Sequence, residues 1–273
     1  MKVDLVMWAK NGARTLPQVL KRINEVIPGE NVANRIVVDD ASNDNTVQIA
    51  EAYGWKVIAN EGSGISDGAN TALKHIETDF FASFEQDVLL SWAWWSRIPR
   101  LLRTKKVAMA SGVRLPSVAC LQAINEFAIE RCARSPSPEY FRTLDNTIYK
   151  TKTIRHLGGF PSLKGSVGVD SALRQRIYEC GFEWKVDYTV RSVHLKSFLD
   201  ELKTQYWYGS NAREVAAMLG KKRVFLKSFV KLLFSPMRGF EITIKNGSVQ
   251  AMFMYPALRL ANFIGVFNCH CKS

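Results

Sequence analysis

The sequence is poor in the features of a secreted or membrane-spanning chain. It has five cysteines (Cys120, Cys132, Cys180, Cys269 and Cys271), an odd number and mostly far apart, so no disulfide framework is evident. The opening stretch MKVDLVMWAK has no apolar core of a secretory signal. Together these predict free thiols in a reducing, cytoplasmic setting. The longest apolar stretch, VQAMFMYPALRLANFIGVF (249–267), is interrupted by Gln250, Pro256, Arg259 and Asn262. A charge at mid-bilayer costs about 3 kcal/mol, so an in-plane or re-entrant segment is expected rather than a span. Acidic residues are scarce at the C-terminal end: from Arg213 to Ser273 there are ten Lys/Arg and two Glu. Most of the net charge of +12 therefore belongs to that segment. This placement points to an anionic surface met by the tail and argues against a nucleic-acid partner.

The rest describes a folded chain, 47% hydrophobic and 23% charged. Its first half alternates strand and helix patterns. VDLVMWA reads as a strand, followed by the helix LPQVLKRINEVI with Thr15 as its expected cap. RIVVDD is a second strand, then the turn ASNDN and the helix TVQIAEAYG. WKVIAN is a third strand, followed by a Gly-rich turn and the helix DGANTALKHI. DFFASFEQD is a fourth, apolar enough to be covered on both faces. Such alternation predicts βαβ units and a mainly parallel sheet flanked by helices. Further on, VACLQAINEFAIERCA and VDSALRQRIYECG read as helices, and FEWKVDYTVRSVHL as a strand ending at His194.

In open parallel sheets, ligands bind beyond the carboxyl ends of the strands. Three polar clusters fall there: Lys10-Asn11, Asp39-Asp40 and Glu85-Gln86-Asp87. Any one of them has a plain explanation as turn chemistry; three with four carboxylates are harder to explain that way. Carboxylates flanking a single residue suit a hard divalent cation, Mg²⁺ or Mn²⁺, which shares its shell with substrate phosphates. His194 would add a nitrogen ligand that favours Mn²⁺. Asp39-Asp40 could hydrogen-bond a nucleobase or ribose. The set outlines a nucleotide-diphosphate site.

At these residues the sequence resembles the family 2 glycosyltransferases, which have the GT-A fold. VVDDASNDNT resembles their second-strand signature, NEGSGISDGANTAL their Gly-rich third turn, and DFFASFEQD the strand carrying their Asp-x-Asp motif. LGGFPSL with GVDSALRQRIYECGFEW resembles the acceptor-side block, and VRSVHL the late strand that delivers a His. The resemblance spans about residues 3 to 196. It implies donor-nucleotide contacts from Ala9, Lys10, Asn11, Asp39, Asp40, Gly64, Asn70 and Gln86. It implies metal ligation by Asp87, Glu85 and His194, catalysis by Asp170 as base, and acceptor-side roles for Arg176 and Trp95. The sequence departs from the family at Trp8, Gly12, Glu85 and Val169, where Pro, an acid, Asp and an acid are usual. No Gln-x-x-Arg-Trp follows His194; TQYWYG is the nearest text, which argues against a processive synthase.

The implied function is an inverting, non-processive hexosyltransferase that moves a sugar from a UDP- or GDP-linked donor to an acceptor hydroxyl or phosphate, with Mn²⁺ or Mg²⁺. Residues 1–212 would form its catalytic domain, with a nucleotide-sugar half to about 110 and an acceptor half beyond. Residues 213–273 would form a basic amphipathic segment. In KKRVFLKSFVKLLF the residues Arg223, Lys227 and Lys231 are spaced as one helical stripe. That pattern predicts a helix lying on an anionic membrane surface, at the cytoplasmic face of the cell membrane, near a lipid-linked or glycan acceptor. Two alternatives have weaker support. A non-catalytic membrane-surface nucleotide-binding protein would not need the three carboxylate clusters. An NAD(P)-dependent oxidoreductase would need G-x-G-x-x-G after the first strand, whereas Gly62, Gly64 and Gly68 are differently spaced and follow the third.

Overall fold

The computed structural model describes residues 1–133, 142–163, 167–220 and 223–271. The chain divides into two units, Met1–Arg114 with Phe141–Leu195, and Leu115–Tyr140 with Lys196–Ser273.

The first unit begins with β1 (Val3–Ala9), α1 (Leu16–Val26), β2 (Val32–Asp39), α2 (Thr46–Ala52), β3 (Lys56–Ala59), α3 (Gly64–Lys74) and β4 (Phe80–Glu85). These are the elements expected from periodicity. Every residue of β1 is buried, because β2 and β4 flank it in parallel register and helices cover both faces. Its one carboxylate, Asp4, is held by the backbone N–H groups of Glu77 and Thr78 at 2.7 and 3.0 Å, and by the Asn34 amide at 2.9 Å. A buried charge persists only with such donors.

The second half adds β5 (Val88–Leu89), α4 (Trp94–Arg97) and β6 (Val107–Pro116), after which α5 (Ala119–Ala133) joins the other unit. The chain returns with β7 (Thr147–Lys150), α6 (Thr151–His156), α7 (Val169–Glu179) and β8 (Glu183–His194). The eight-stranded sheet has the order β3-β2-β1-β4-β7-β6-β8-β5. Strands β3, β2, β1 and β4 are parallel, whereas β7 pairs antiparallel with β4 and β6, and β5 with β8. One face packs on α1 through Leu16, Leu20 and Ile23 and on Trp94. The other packs on α3, α6 and α7 through Ala72, Ile154, Leu173 and Ile177.

One local expectation fails. Thr15 stands at the N-cap of α1, but its backbone is helical (φ −113°, ψ −25°), and its hydroxyl donates to the Gly12 carbonyl oxygen at 3.4 Å instead of capping.

The second unit is helical: α5 with α8 (Phe198–Ser210), α9 (Ala212–Met218), α10 (Val224–Leu233), α11 (Ser235–Asn246) and α12 (Ala251–Cys271). Ser197 and Asp200 form a reciprocal capping box at the start of α8. The interrupted segment 249–267 falls in α12, one helix running through Pro256. Among the described residues no helix is long and apolar enough to cross a membrane. The basic stripe is shorter than its spacing implied: Arg223 precedes α10 in a left-handed conformation (φ 63°), leaving Lys227 and Lys231 on the helix. Among the described residues, Cys180 of the first unit and Cys120 and Cys269 of the second form no disulfide.

Candidate functional site

All three polar clusters meet at the carboxyl ends of the parallel strands. Glu85 ends β4, and Asp87 lies two residues on, just before β5. The antiparallel register pairs Val88 of β5 with His194, the last residue of β8. That pairing delivers the imidazole to Asp87, Nε2 to Oδ2 at 3.2 Å, while the Leu195 N–H donates to the Asp87 carbonyl oxygen at 2.8 Å. One ligand atom from each of Glu85, Asp87 and His194 lies within 4.8 Å of the others. Two carboxylates and one imidazole at this separation fit a divalent cation such as Mn²⁺.

Arg114, near the end of β6, pairs with Glu85 and lies 3.1 Å from Asp145, whose side chain is fully buried. The Arg114 charge also acts on Asp170. Arg114 and Asp145 were not singled out from sequence. The available signal was one cation at the end of the apolar run VAMASGVRLP.

Asp170 lies in the first turn of α7, whose N-cap is Gly168 in a left-handed conformation (φ 83°). Asp170 is therefore not the cap; its Oδ1 accepts from the Ser171 N–H at 2.7 Å. Burial pushes its carboxyl above the ordinary value of 3.8, although that hydrogen bond and the Arg114 charge oppose the shift. Part of its surface still reaches solvent.

The nucleotide-side residues form a second network. Lys10 and Gln86 clasp each other: the Lys10 N–H donates to Gln86 Oε1 at 2.9 Å, and Gln86 Nε2 donates to the Lys10 carbonyl oxygen at 2.9 Å. Gly12 lies close beside this clasp: a Cβ there would stand 2.5 Å from Gln86 Oε1, so the Gln86 side chain would have to shift. Asp40 receives the Lys10 ammonium at 3.2 Å, the Asn60 amide at 2.8 Å and the Gly64 N–H at 3.1 Å. Burial alone would raise its carboxyl, but these donors outweigh it and hold Asp40 below the usual range. Asp40 is anchored to β1 by its own N–H, which donates to the Ala9 carbonyl oxygen at 2.8 Å. Asn11 ties this loop to the next through Ser42 and Asn43. Asp39 accepts the Ser42 N–H through Oδ2, while its buried Oδ1 has no hydrogen-bond partner.

The remaining candidates are engaged elsewhere. Asn70 spends its amide on the backbone of Phe160, donating and accepting at 2.8 Å. Arg176 donates to the carbonyl oxygens of Leu157 and Gly159, tying α7 to the turn after α6. Trp95 stacks on the buried Trp94, whose Nε1 donates to the Asn146 carbonyl oxygen.

Comparison with known proteins agrees with this geometry. The sequence profile described as Glycosyl transferase family 2 matches residues 4–159. No curated protein matches the chain. The mannosyltransferase PcManGT from Pyrobaculum calidifontis, solved with GDP-Man and Mn²⁺, is similar at a TM-score of 0.67 and 16% identity, over 97% of this chain and 87% of that one. Glucosyl-3-phosphoglycerate synthase from Mycobacterium tuberculosis, solved with Mn²⁺, UDP-Glc and phosphoglyceric acid, is similar at a TM-score of 0.60 and 16% identity, over 82% and 81% of the two chains. At such identities the likeness is one of fold, and it is the GT-A fold expected from the sequence.

Proposed function

The chain belongs to glycosyl transferase family 2, and from that membership we propose an inverting, non-processive enzyme that moves a hexosyl group from a nucleoside-diphosphate sugar to an acceptor hydroxyl. The observation that carries this reading is the Glu85–Asp87–His194 cluster at the tip of β4. A divalent cation held there would supply positive charge to the diphosphate leaving group. Asp39 and Asp40, with Lys10 and Asn11, would receive the nucleoside, and the unpartnered Oδ1 of Asp39 offers an acceptor for a base or ribose donor. Asp170 would take the proton of the acceptor hydroxyl as its oxygen attacks the anomeric carbon. The bond from that carbon to the diphosphate oxygen breaks in the same displacement, which inverts the centre. A carboxyl raised by burial is a stronger base for this step once ionised.

We further propose a lipid-linked acceptor, met at the cytoplasmic face of a membrane. Support comes from the second unit, where α10 and α11 expose Leu226, Leu233, Met237, Phe240 and Ile244, each more than half accessible. Contiguous exposed apolar side chains beside cations suit an anionic membrane interface.

The test is calorimetric titration of UDP, GDP and their sugar conjugates, with and without Mn²⁺, on wild type and Asp87→Ala. Metal-dependent binding of one nucleotide, lost in the variant, is the expected result. Absence of any nucleotide binding with metal present would overturn the reading.

A further inference from the structure

Within the second unit, α5, α10, α11 and α12 surround a groove of about 670 Å³ that the transfer reaction does not use. Its floor and walls are apolar: Phe127, Ala128, Val230, Phe234, Met237 and Ile242. Four cations, Arg131, Lys231, Arg238 and Arg259, also line it, and no carboxylate is among the lining residues described.

The charges crowd together. Arg131, Arg238 and Lys245 all face the Phe127 ring, at 6.0, 5.6 and 5.1 Å from its centroid. Glu241 pairs with Arg238 and lies 3.8 Å from Lys245. Arg259 stacks on Tyr255 at 4.8 Å, and its Nε is buried without a hydrogen-bond partner. A buried N–H left unpaired is costly. An anionic oxygen in the groove would relieve that cost and meet the cations that line it. Inorganic phosphate alone would leave the apolar walls wet, because Val230, Phe234 and Met237 are 42%, 54% and 62% accessible. These same side chains continue into the exposed apolar face of α10 and α11.

We propose that this groove is a binding site for one anionic membrane phospholipid, its phosphate held by Arg131, Arg238 and Arg259 and its acyl chains laid against Phe127, Val230, Phe234 and Met237. The charge complementarity selects an acidic headgroup, and the apolar walls select a lipid over a free anion. The inference rests on reading the second unit as membrane-facing, but it assigns a stoichiometric site rather than a charged surface.

The experiment is calorimetric titration of the full chain with monomeric short-chain phosphatidic acid, below its micelle concentration. Saturable binding of one lipid per chain is expected, with short-chain phosphatidylcholine, inorganic phosphate and farnesyl phosphate each at least about tenfold weaker, a difference of about 1.4 kcal/mol. Ala128→Trp, which fills the groove without changing charge, should lower affinity by about tenfold or more. Met237→Glu, at an exposed rim position that leaves the fold unburdened, should do the same. Equal binding of phosphatidylcholine, inorganic phosphate or farnesyl phosphate would overturn the assignment, as would phosphatidic acid binding unchanged in both variants. Flotation of the protein with anionic vesicles is read in parallel. Flotation without saturable monomer binding rejects the groove and keeps the membrane reading; saturable binding without flotation does the reverse.

Discussion

Nε2 of His194 lies 3.2 Å from Oδ2 of Asp87, although the two residues stand 107 positions apart in sequence. The β5–β8 pairing fixes this contact, so the cluster is held by backbone register rather than by flexible side chains. Asp87→Ala should lower transferase activity by about 100-fold or more, the upper end of what even outer-shell changes at metal sites produce. His194→Ala should weaken Mn²⁺ more than Mg²⁺, since imidazole suits the softer ion. Metal titrations monitored by nucleotide binding check both. Equal loss for the two metals would count against imidazole ligation.

Arg114 joins Glu85, in the candidate metal cluster, to the buried Asp145. Removing it leaves a buried carboxylate without its charge partner, which typically costs about 3–5 kcal/mol. Arg114→Ala is therefore expected to lower the urea midpoint strongly. Asp145→Asn combined with Arg114→Ala should recover part of that loss, because the uncompensated charge is gone. A double variant no more stable than Arg114→Ala would show that the pair is not the source of the effect.

The strand-ending carboxylates were legible in sequence because each follows an apolar run, and the sheet rule then places them together. Asp39, Asp40, Glu85 and Asp87 stand at such strand ends, and His194 stands at the end of the alternating run FEWKVDYTVRSVHL. Arg114 and Asp145 are not legible in this way, because β7 pairs antiparallel with both β4 and β6, and no local pattern encodes that pairing. The same reason hid the two-residue strand β5, whose register matters more than its length. Asn70 and Arg176 were legible as polar residues in family-like stretches, but their engagement with the backbones of Phe160, Leu157 and Gly159 depends on contacts between distant segments. The association of α5 with the C-terminal helices is a tertiary event of the same kind.

Two glycines set the approach of α8 and α12. A Cβ on Gly209 would overlap the Asn262 carbonyl oxygen, and one on Gly265 would overlap the Tyr206 carbonyl oxygen. Both obstacles are backbone, so neither can turn aside. Gly209→Ala and Gly265→Ala are each expected to destabilise the second unit by about 1–3 kcal/mol, the range for overpacking. Nucleotide binding at the first unit should persist below the new melting transition. Hydrogen exchange, read separately over α8, α12 and the sheet, distinguishes this from global unfolding.

Asp170, the proposed base, is expected to link both stability and activity to pH. Burial raises its folded-state carboxyl above 3.8, so the native protein holds this proton to higher pH than the unfolded chain does. Its contribution to stability is therefore fully present below the unfolded value and is lost as pH rises through the folded one. Asp170→Asn removes the titration, so the variant should be at least as stable as wild type at neutral pH and less dependent on pH in the acid range. The role proposed for Asp170 in catalysis has the opposite requirement, because a base must be ionised. The acid limb of kcat/KM in wild type should accordingly lie above the ordinary carboxylate value, and Asp170→Asn should lose about 10²–10⁴-fold in rate, the usual worth of a general base. Asp170→Glu should retain part of the activity, with the limb displaced. An Asn variant that keeps the wild-type acid limb would assign that limb to another group and remove Asp170 from the proton transfer.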